Sequence, residues 1–197
     1  MEAQMIENGT ASAKIIKERS PKMLLWIGLV SIGMMFAGLT SGYIVRRGSG
    51  TWITFQIPFP FYISTAILLI SSITMNMALR AAKKSAYSTT SNTLLLTWVL
   101  GLAFGVFQFM GFKAMISQGI FLVGTNSNAS GSYLYILALL HIGHVIGGLV
   151  ALTIAYIKSL RHKYSADNYL GVKLCAIYWH FLDGLWVYLF VFMLFNR

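Results

Sequence analysis

Acidic side chains are nearly absent from this sequence. Of its 197 residues only five are Asp or Glu, against fifteen Lys or Arg. Glu2, Glu7, Glu18 and Asp167 lie in polar segments, which leaves Asp183 as the one acid inside an apolar run. An ionisable group at bilayer depth is expensive and functional by default. Cysteine is limited to Cys175, which excludes a disulfide framework and any CxxC motif. Proline occurs three times, at Pro21, Pro58 and Pro60, ahead of apolar runs. Helix entrances are expected there, because a missing N–H costs nothing at that position. The first twenty residues are polar and mixed in charge, and no small-residue cleavage site follows the first apolar run. No cleavable signal peptide is therefore expected, and residues 1–22 read as a cytoplasmic N-terminal arm. No internal repeat is visible.

What fills the chain instead is hydrophobic. Apolar residues make up 57% and charged residues 10%, far from soluble averages. A membrane span needs about 20 apolar residues, and five segments qualify: 23–45, 59–79, 93–112, 133–157 and 174–195. The expected fold is an all-α membrane protein, with residues 23–197 forming one domain of five transmembrane helices. The net charge of +10 follows from topology. With the N-terminus inside, eleven basic residues (Lys14, Lys17, Arg19, Lys22, Arg80, Lys83, Lys84, Lys158, Arg161, Lys163 and Lys173) fall on the cytoplasmic side. Only Arg46, Arg47, Lys113 and Arg197 fall outside. That bias is the positive-inside pattern, with attraction to anionic headgroups added. No nucleic-acid role follows.

The longest connection, 113–132, begins with an apolar stretch, 114–123, suited to lying along the membrane surface, and ends in a polar patch. Asn128-Ala129-Ser130 fits a glycosylation acceptor, a pattern short enough to arise by chance. Three small-xxx-small pairs, Gly38 with Gly42, Gly101 with Gly105 and Gly143 with Gly147, predict close helix packing. Gln108 and Asn76 are the uncharged polar residues expected to hydrogen-bond between helices.

The sharpest choice concerns the histidines. His141 and His144 share one face of the fourth span, and His180 and Asp183 share one face of the fifth. One reading makes them a buried polar network that satisfies itself, as the bilayer demands. A second makes His141 or His144, with His180, the axial ligands of a haem in a membrane-anchored b-type cytochrome. A metal held by three imidazoles and a carboxylate is a further possibility. Depth favours contact: His144 lies eleven residues from the outer edge at Tyr133, about 16 Å, and Asp183 nine from the inner edge at Leu174, about 14 Å. Asp183 is expected to be held by His144. A small secondary transporter would show repeats and broken helices, and neither is present.

These residues carry a resemblance. Tyr178-Trp179-His180-Phe181-Leu182-Asp183-Gly184-Leu185-Trp186 is similar to the last-helix signature of subunit III of the haem-copper respiratory oxidases. His141-Ile142-Gly143-His144-Val145-Ile146-Gly147-Gly148 resembles that family's His-x-x-His-Val-x-x-Gly motif. Phe36-Ala37-Gly38-Leu39 with Tyr43, then Ser64-Thr65 and Ser71-Ser72, then Gly101, Phe104 and Gln108, resemble the preceding helices of the short five-helix bacterial form. Two glutamates usual in the family are replaced by Ile32 and Gly111, and Lys173 stands where relatives tend to have an acid. Asp183 remains as a lone titratable group at depth, too few to carry a proton across the membrane.

The resemblance implies a non-catalytic core subunit, with no cofactor or metal on this chain. Haem and copper would reside in partner subunits, namely the catalytic subunit I and subunit II of a cytochrome c or quinol oxidase; whether that oxidase joins a larger respiratory supercomplex is left open by the sequence. It further implies a pair and a trio of helices around a cleft holding structural phospholipids, and support for proton uptake and oxygen access. The location implied is the bacterial cytoplasmic membrane, with the N-terminus cytoplasmic and the C-terminus periplasmic.

Overall fold

A computed structural model describes residues 2–48, 56–122, 129–161, 164 and 168–196. Five helices follow one another: α1 (Glu2–Arg47), α2 (Phe59–Lys83), α3 (Tyr87–Ser117), α4 (Ala129–Leu160) and α5 (Leu170–Phe195). Each contains a stretch long and apolar enough to cross a membrane, that of α1 being Arg19–Arg47. The sequence placed all five.

Helix ends follow local chemistry. Pro58 caps α2 in an extended conformation and Pro60 sits in its first turn, as a residue without an N–H can. Pro21 departs from expectation: it lies inside α1, which runs through it. Membrane helices tolerate such a proline because neighbouring groups re-satisfy the freed carbonyl. The 114–123 stretch departs as well, since α3 continues to Ser117 before the chain turns. Nothing before Gly119 breaks the helix.

The stops of α2 and α3 share one device. After α2, Ser85 N–H bonds Ala82 O at 3.1 Å and Ala86 N–H bonds Ala81 O at 3.1 Å, with Ser85 at φ 55°. After α3, Gly119 N–H bonds Ile116 O at 3.0 Å and Ile120 N–H bonds Met115 O at 3.1 Å, with Gly119 at φ 77°. This is the Schellman arrangement, whose left-handed residue is ordinarily glycine. Ile120 then tucks into the core beside Gly131.

Helices α2 and α3 form the most extensive contact, α3 continues onto α4, and α4 and α2 both meet α5, so these four close into a ring. Among the described residues, helix α1 touches only α4 and α5. The core is aromatic and dense, with Trp179, Trp186, Phe36, Phe61 and Phe104 fully buried. Asn128, Lys163, Asp167 and Arg197 lie outside the described residues.

Candidate functional site

The interior of the ring is organised by α2, whose small hydroxyl residues face both neighbours. Thr74 Oγ1 lies 2.8 Å from Thr97 Oγ1, and Ser64 Oγ accepts from Gln108 Nε2 at 3.0 Å, both bonds to α3. Toward α5, Trp186 Nε1 donates to Thr65 Oγ1 at 3.0 Å, Trp179 Nε1 donates to Ser71 Oγ at 3.0 Å, and Ser72 Oγ lies 2.8 Å from His180 Nδ1. Spacings of about seven residues, from Ser64 and Thr65 to Ser71 and Ser72, repeat one helix face every two turns. Serine and threonine hydroxyls also return to their own helix, as Ser71 does to Leu68 O at 2.8 Å. These bonds anchor the hydroxyls and indole N–H groups of the seam in a place without water, while Gln108 Oε1 and His180 Nε2 find no partner among the described residues. Sequence reading missed the ladder, because hydroxyls at helical spacing look the same whether they face a partner or lipid.

The four histidine-cluster residues separate. His180 and Asp183 come together, Nδ1 to Oδ2 at 3.9 Å, beyond hydrogen-bond length. The Ser72 hydroxyl is instead the partner of His180 Nδ1, at 2.8 Å. Neither Asp183 oxygen finds a hydrogen-bond partner among the described residues. His144 turns its Nδ1 to Leu140 O in its own helix at 2.7 Å, so the carbonyl four residues back takes its proton. The α4–α5 contact at this level comes instead from Tyr178, whose hydroxyl donates to His144 O at 3.0 Å.

His141 is enclosed by rings. Trp186 lies over it with centroids 5.1 Å apart and a 33° tilt, while Phe104 and Phe36 present edges at 5.9 and 6.4 Å. Both of its nitrogens lack a hydrogen-bond partner among the described residues. A porphyrin approaching His141 would have to displace Trp186 or Phe104, two of the best-buried rings in the molecule. His141 therefore has no room for a haem beside it. Among the described residues, no three of His, Cys, Asp and Glu converge as a metal site would require.

The glycines divide in the same way. A Cβ on Gly101 would stand 2.8 Å from Trp179 Cη2, and one on Gly42 would stand 3.4 Å from the Tyr133 hydroxyl oxygen. Gly147 faces the Tyr178 hydroxyl at 3.5 Å, whereas Gly38, Gly105 and Gly143 have nothing within 4 Å. Two further close approaches come from outside the small-xxx-small pairs: Gly148 against Trp179 at 3.0 Å and Gly111 against Phe61 at 2.7 Å. The second accounts for one departure noted above. With Phe61 in that place, no glutamate fits at Gly111. Asn76 lies on the exposed face of α2.

At one end of the bundle α1 is tied down by polar groups. Thr40 Oγ1 lies 3.1 Å from Tyr188 Oη, Tyr43 Oη donates to Asn196 O at 2.7 Å, and Arg47 Nη1 donates to Asn196 Oδ1 at 3.2 Å. At the other end Tyr164 is buried against Gly171. Burial, with Cys175 adding to it, pushes that loop phenol up to about 12, so it stays neutral beside Gly171.

Comparison with known proteins converges on one family. Residues 50–196 match the family described as cytochrome c oxidase subunit III. The cytochrome c oxidase subunit 3 of Rhipicephalus sanguineus is 35% identical over 142 residues, covering 71% of this chain and 51% of that protein. The probable cytochrome c oxidase subunit 3 of Nocardia farcinica is 30% identical over 182 residues, covering 88% of this chain and 86% of that protein. The Corynebacterium diphtheriae protein is 28% identical over 166 residues, 80% of this chain and 79% of its own length. The chain thus spans about half the length of the Rhipicephalus relative and most of the bacterial ones. With five apolar helices in a multi-pass membrane arrangement and a match over three quarters of its length, the chain belongs to the cytochrome c oxidase subunit III family.

Proposed function

We propose that this chain is a non-redox core subunit of a proton-pumping haem-copper terminal oxidase in a bacterial cytoplasmic membrane. Its task is to pack against the catalytic subunit I, alongside subunit II, and to keep that subunit durable while it reduces oxygen to water. Support for proton uptake at the cytoplasmic face and for oxygen access through the bilayer belongs to the same role, as do phospholipids held along the helices. Haem and copper, which supply the redox chemistry, reside on the partner subunits.

The observation that carries this reading is the use to which the ionisable groups are put. His141 is walled in by three rings, His144 is bonded to its own helix and His180 to Ser72. Asp183 alone stays titratable at depth, and one carboxyl cannot relay a proton through about 30 Å of hydrocarbon. The positions where relatives carry further carboxylates are Ile32 and Gly111, the latter filled by Phe61. Large apolar side chains on the outer faces of all five helices suit a subunit surrounded by lipid and by other subunits.

The test compares the purified oxidase with and without this chain. Haem content and initial oxygen consumption are expected to be unchanged, while activity decays over far fewer turnovers when the chain is missing. Stoichiometric loss of a haem on removal would overturn the reading.

A further inference from the structure

Helices α1 and α2 both pack on α5 and, among the described residues, do not touch each other. On one flank of α5, Phe181 reaches Gly33 of α1, where a Cβ would stand 4.0 Å from its ring, and Tyr188 bonds Thr40. On the other flank, His180 bonds Ser72 and Trp186 bonds Thr65, both of α2. The strip between these flanks carries Ile177, Gly184, Tyr188 and Val191, which share one helix face. It floors a trough that is open from Gly184 onward. Ala37, one turn past Gly33, lies on the α1 wall, and Leu69 and Asn76, one turn either side of Ser72, lie on the α2 wall; all three are exposed. Packed helix axes lie about 8–10 Å apart. Two helices that flank α5 without meeting therefore leave a gap of about one helix diameter, about 10–12 Å.

The trough carries polar groups that this chain does not satisfy. Asn76 lies within the apolar length of α2, between Ile73 and Met77, and makes no hydrogen bond among the described residues. Acyl chains offer its amide neither donor nor acceptor, and an unpaired amide in hydrocarbon is costly. At one end of the trough stand Arg80, one turn past Asn76, and Lys173, one turn before Ile177. Neither forms an ion pair among the described residues. On the floor, Gly184 has nothing within 4 Å of a would-be Cβ, so a backbone from outside this chain can approach α5 closely there.

We infer that this trough seats one transmembrane helix of a different polypeptide. That helix presents a small residue to Gly184, a hydrogen-bonding side chain to Asn76 and an acidic residue to Arg80 and Lys173. A lipid chain would leave the Asn76 amide unpaired, whereas a polar side chain shared between two helices is an ordinary means of association in a bilayer. Charge argues against a second copy of this chain. A two-fold axis along the membrane normal would set the trough against itself, with Arg80 and Lys173 of both copies at the same end, and like charges in an interface oppose association. The inference deepens the reading of this chain as one subunit of a complex and rests on that reading for the existence of a partner. It adds which face is used, how wide the contact is and what chemistry the partner helix carries.

Photo-cross-linking in the native membrane tests it. Benzoylphenylalanine replaces Ala37, Leu69 or Val191, one position on each side of the trough, in the tagged full chain. After irradiation the adducts are mapped by peptide mass spectrometry. All three positions should join one and the same apolar span of another polypeptide, with an Asp or Glu at its end nearest Arg80. Gly184→Phe meets no atom of this chain and should lower the adduct yield at least tenfold. Gly105→Phe, equally open on α3, should leave it unchanged. Asn76→Leu should lower the yield severalfold, and Asn76→Gln should retain most of it. Lipid adducts alone, different spans at the three positions, or adducts that survive Gly184→Phe would each overturn the inference. So would adducts to a second copy of this chain, recognised by mixing isotope-labelled and unlabelled protein. Haem content and oxygen consumption of the same preparations report separately on the oxidase reading, so either can fail alone.

Discussion

Replacing Gly101 by alanine brings a methyl group to 2.8 Å from Trp179 and 2.9 Å from Leu149. The indole is fully buried and hydrogen-bonded to Ser71, so it cannot swing aside without breaking that bond. Overpacking of this kind costs about 1–3 kcal/mol. Gly105→Ala, one turn on, meets open space and should be neutral or slightly stabilising, since alanine favours the helix. Thermal unfolding of the two variants in the same detergent is expected to separate them by several degrees. In the sequence the two glycines are a symmetric pair. Their difference lies in which face each occupies, and a spacing of four does not encode that. The Gln108–Ser64 bond is a second residue-scale test. Ser64→Ala strands the buried amide, and a double-mutant cycle with Gln108→Leu should return a coupling of about 0.6–1.7 kcal/mol, the range of interhelical hydrogen bonds in membrane proteins. A coupling near zero would mean that the seam is packing alone.

Helices are the scale at which the sequence was most legible. Length and hydropathy located all five, and Pro58 and Pro60 marked the start of α2, because a bilayer allows few alternatives to a helix. What stayed hidden was set by contacts between helices. His144 and Asp183 have matching depths along their helices, yet rotation about each axis turns His144 to its own carbonyl. The unforeseen hydroxyl ladder of α2 took the polar role at the α2–α5 contact, with Ser72 in place of a second imidazole. The two helix stops offer a prediction at this scale. Ser85 holds the left-handed position that Gly119 holds in the equivalent turn. A side chain there costs about 1–2 kcal/mol, so Ser85→Gly should stabilise the α2–α3 hairpin by about 1 kcal/mol, read as a raised unfolding temperature. Gly119→Ser should do the reverse.

Across the whole molecule the distribution of charge fixes how the bundle sits. The end bearing Arg80, Lys83, Lys84, Lys158 and Arg161 is expected in the cytoplasm, with the N-terminal arm. A membrane-impermeant thiol reagent should leave Ser12→Cys untouched in intact cells and label it in inverted vesicles, in the background of Cys175→Ala. Labelling from outside would invert the orientation.

The tie between α1 and α5 sets a timetable for synthesis. Tyr43 meets Asn196 across 153 residues of sequence, and among the described residues α1 packs on nothing but α4 and α5. At about 5–20 residues per second on the ribosome, the first helix waits roughly 10–30 s in the bilayer before its permanent neighbours exist. During that interval its small polar face at Thr40 has only its own backbone to bond. Newborn α1 is therefore the segment of this protein that most depends on insertion machinery to shelter it, and interrupted translation should leave it the first target for membrane proteases.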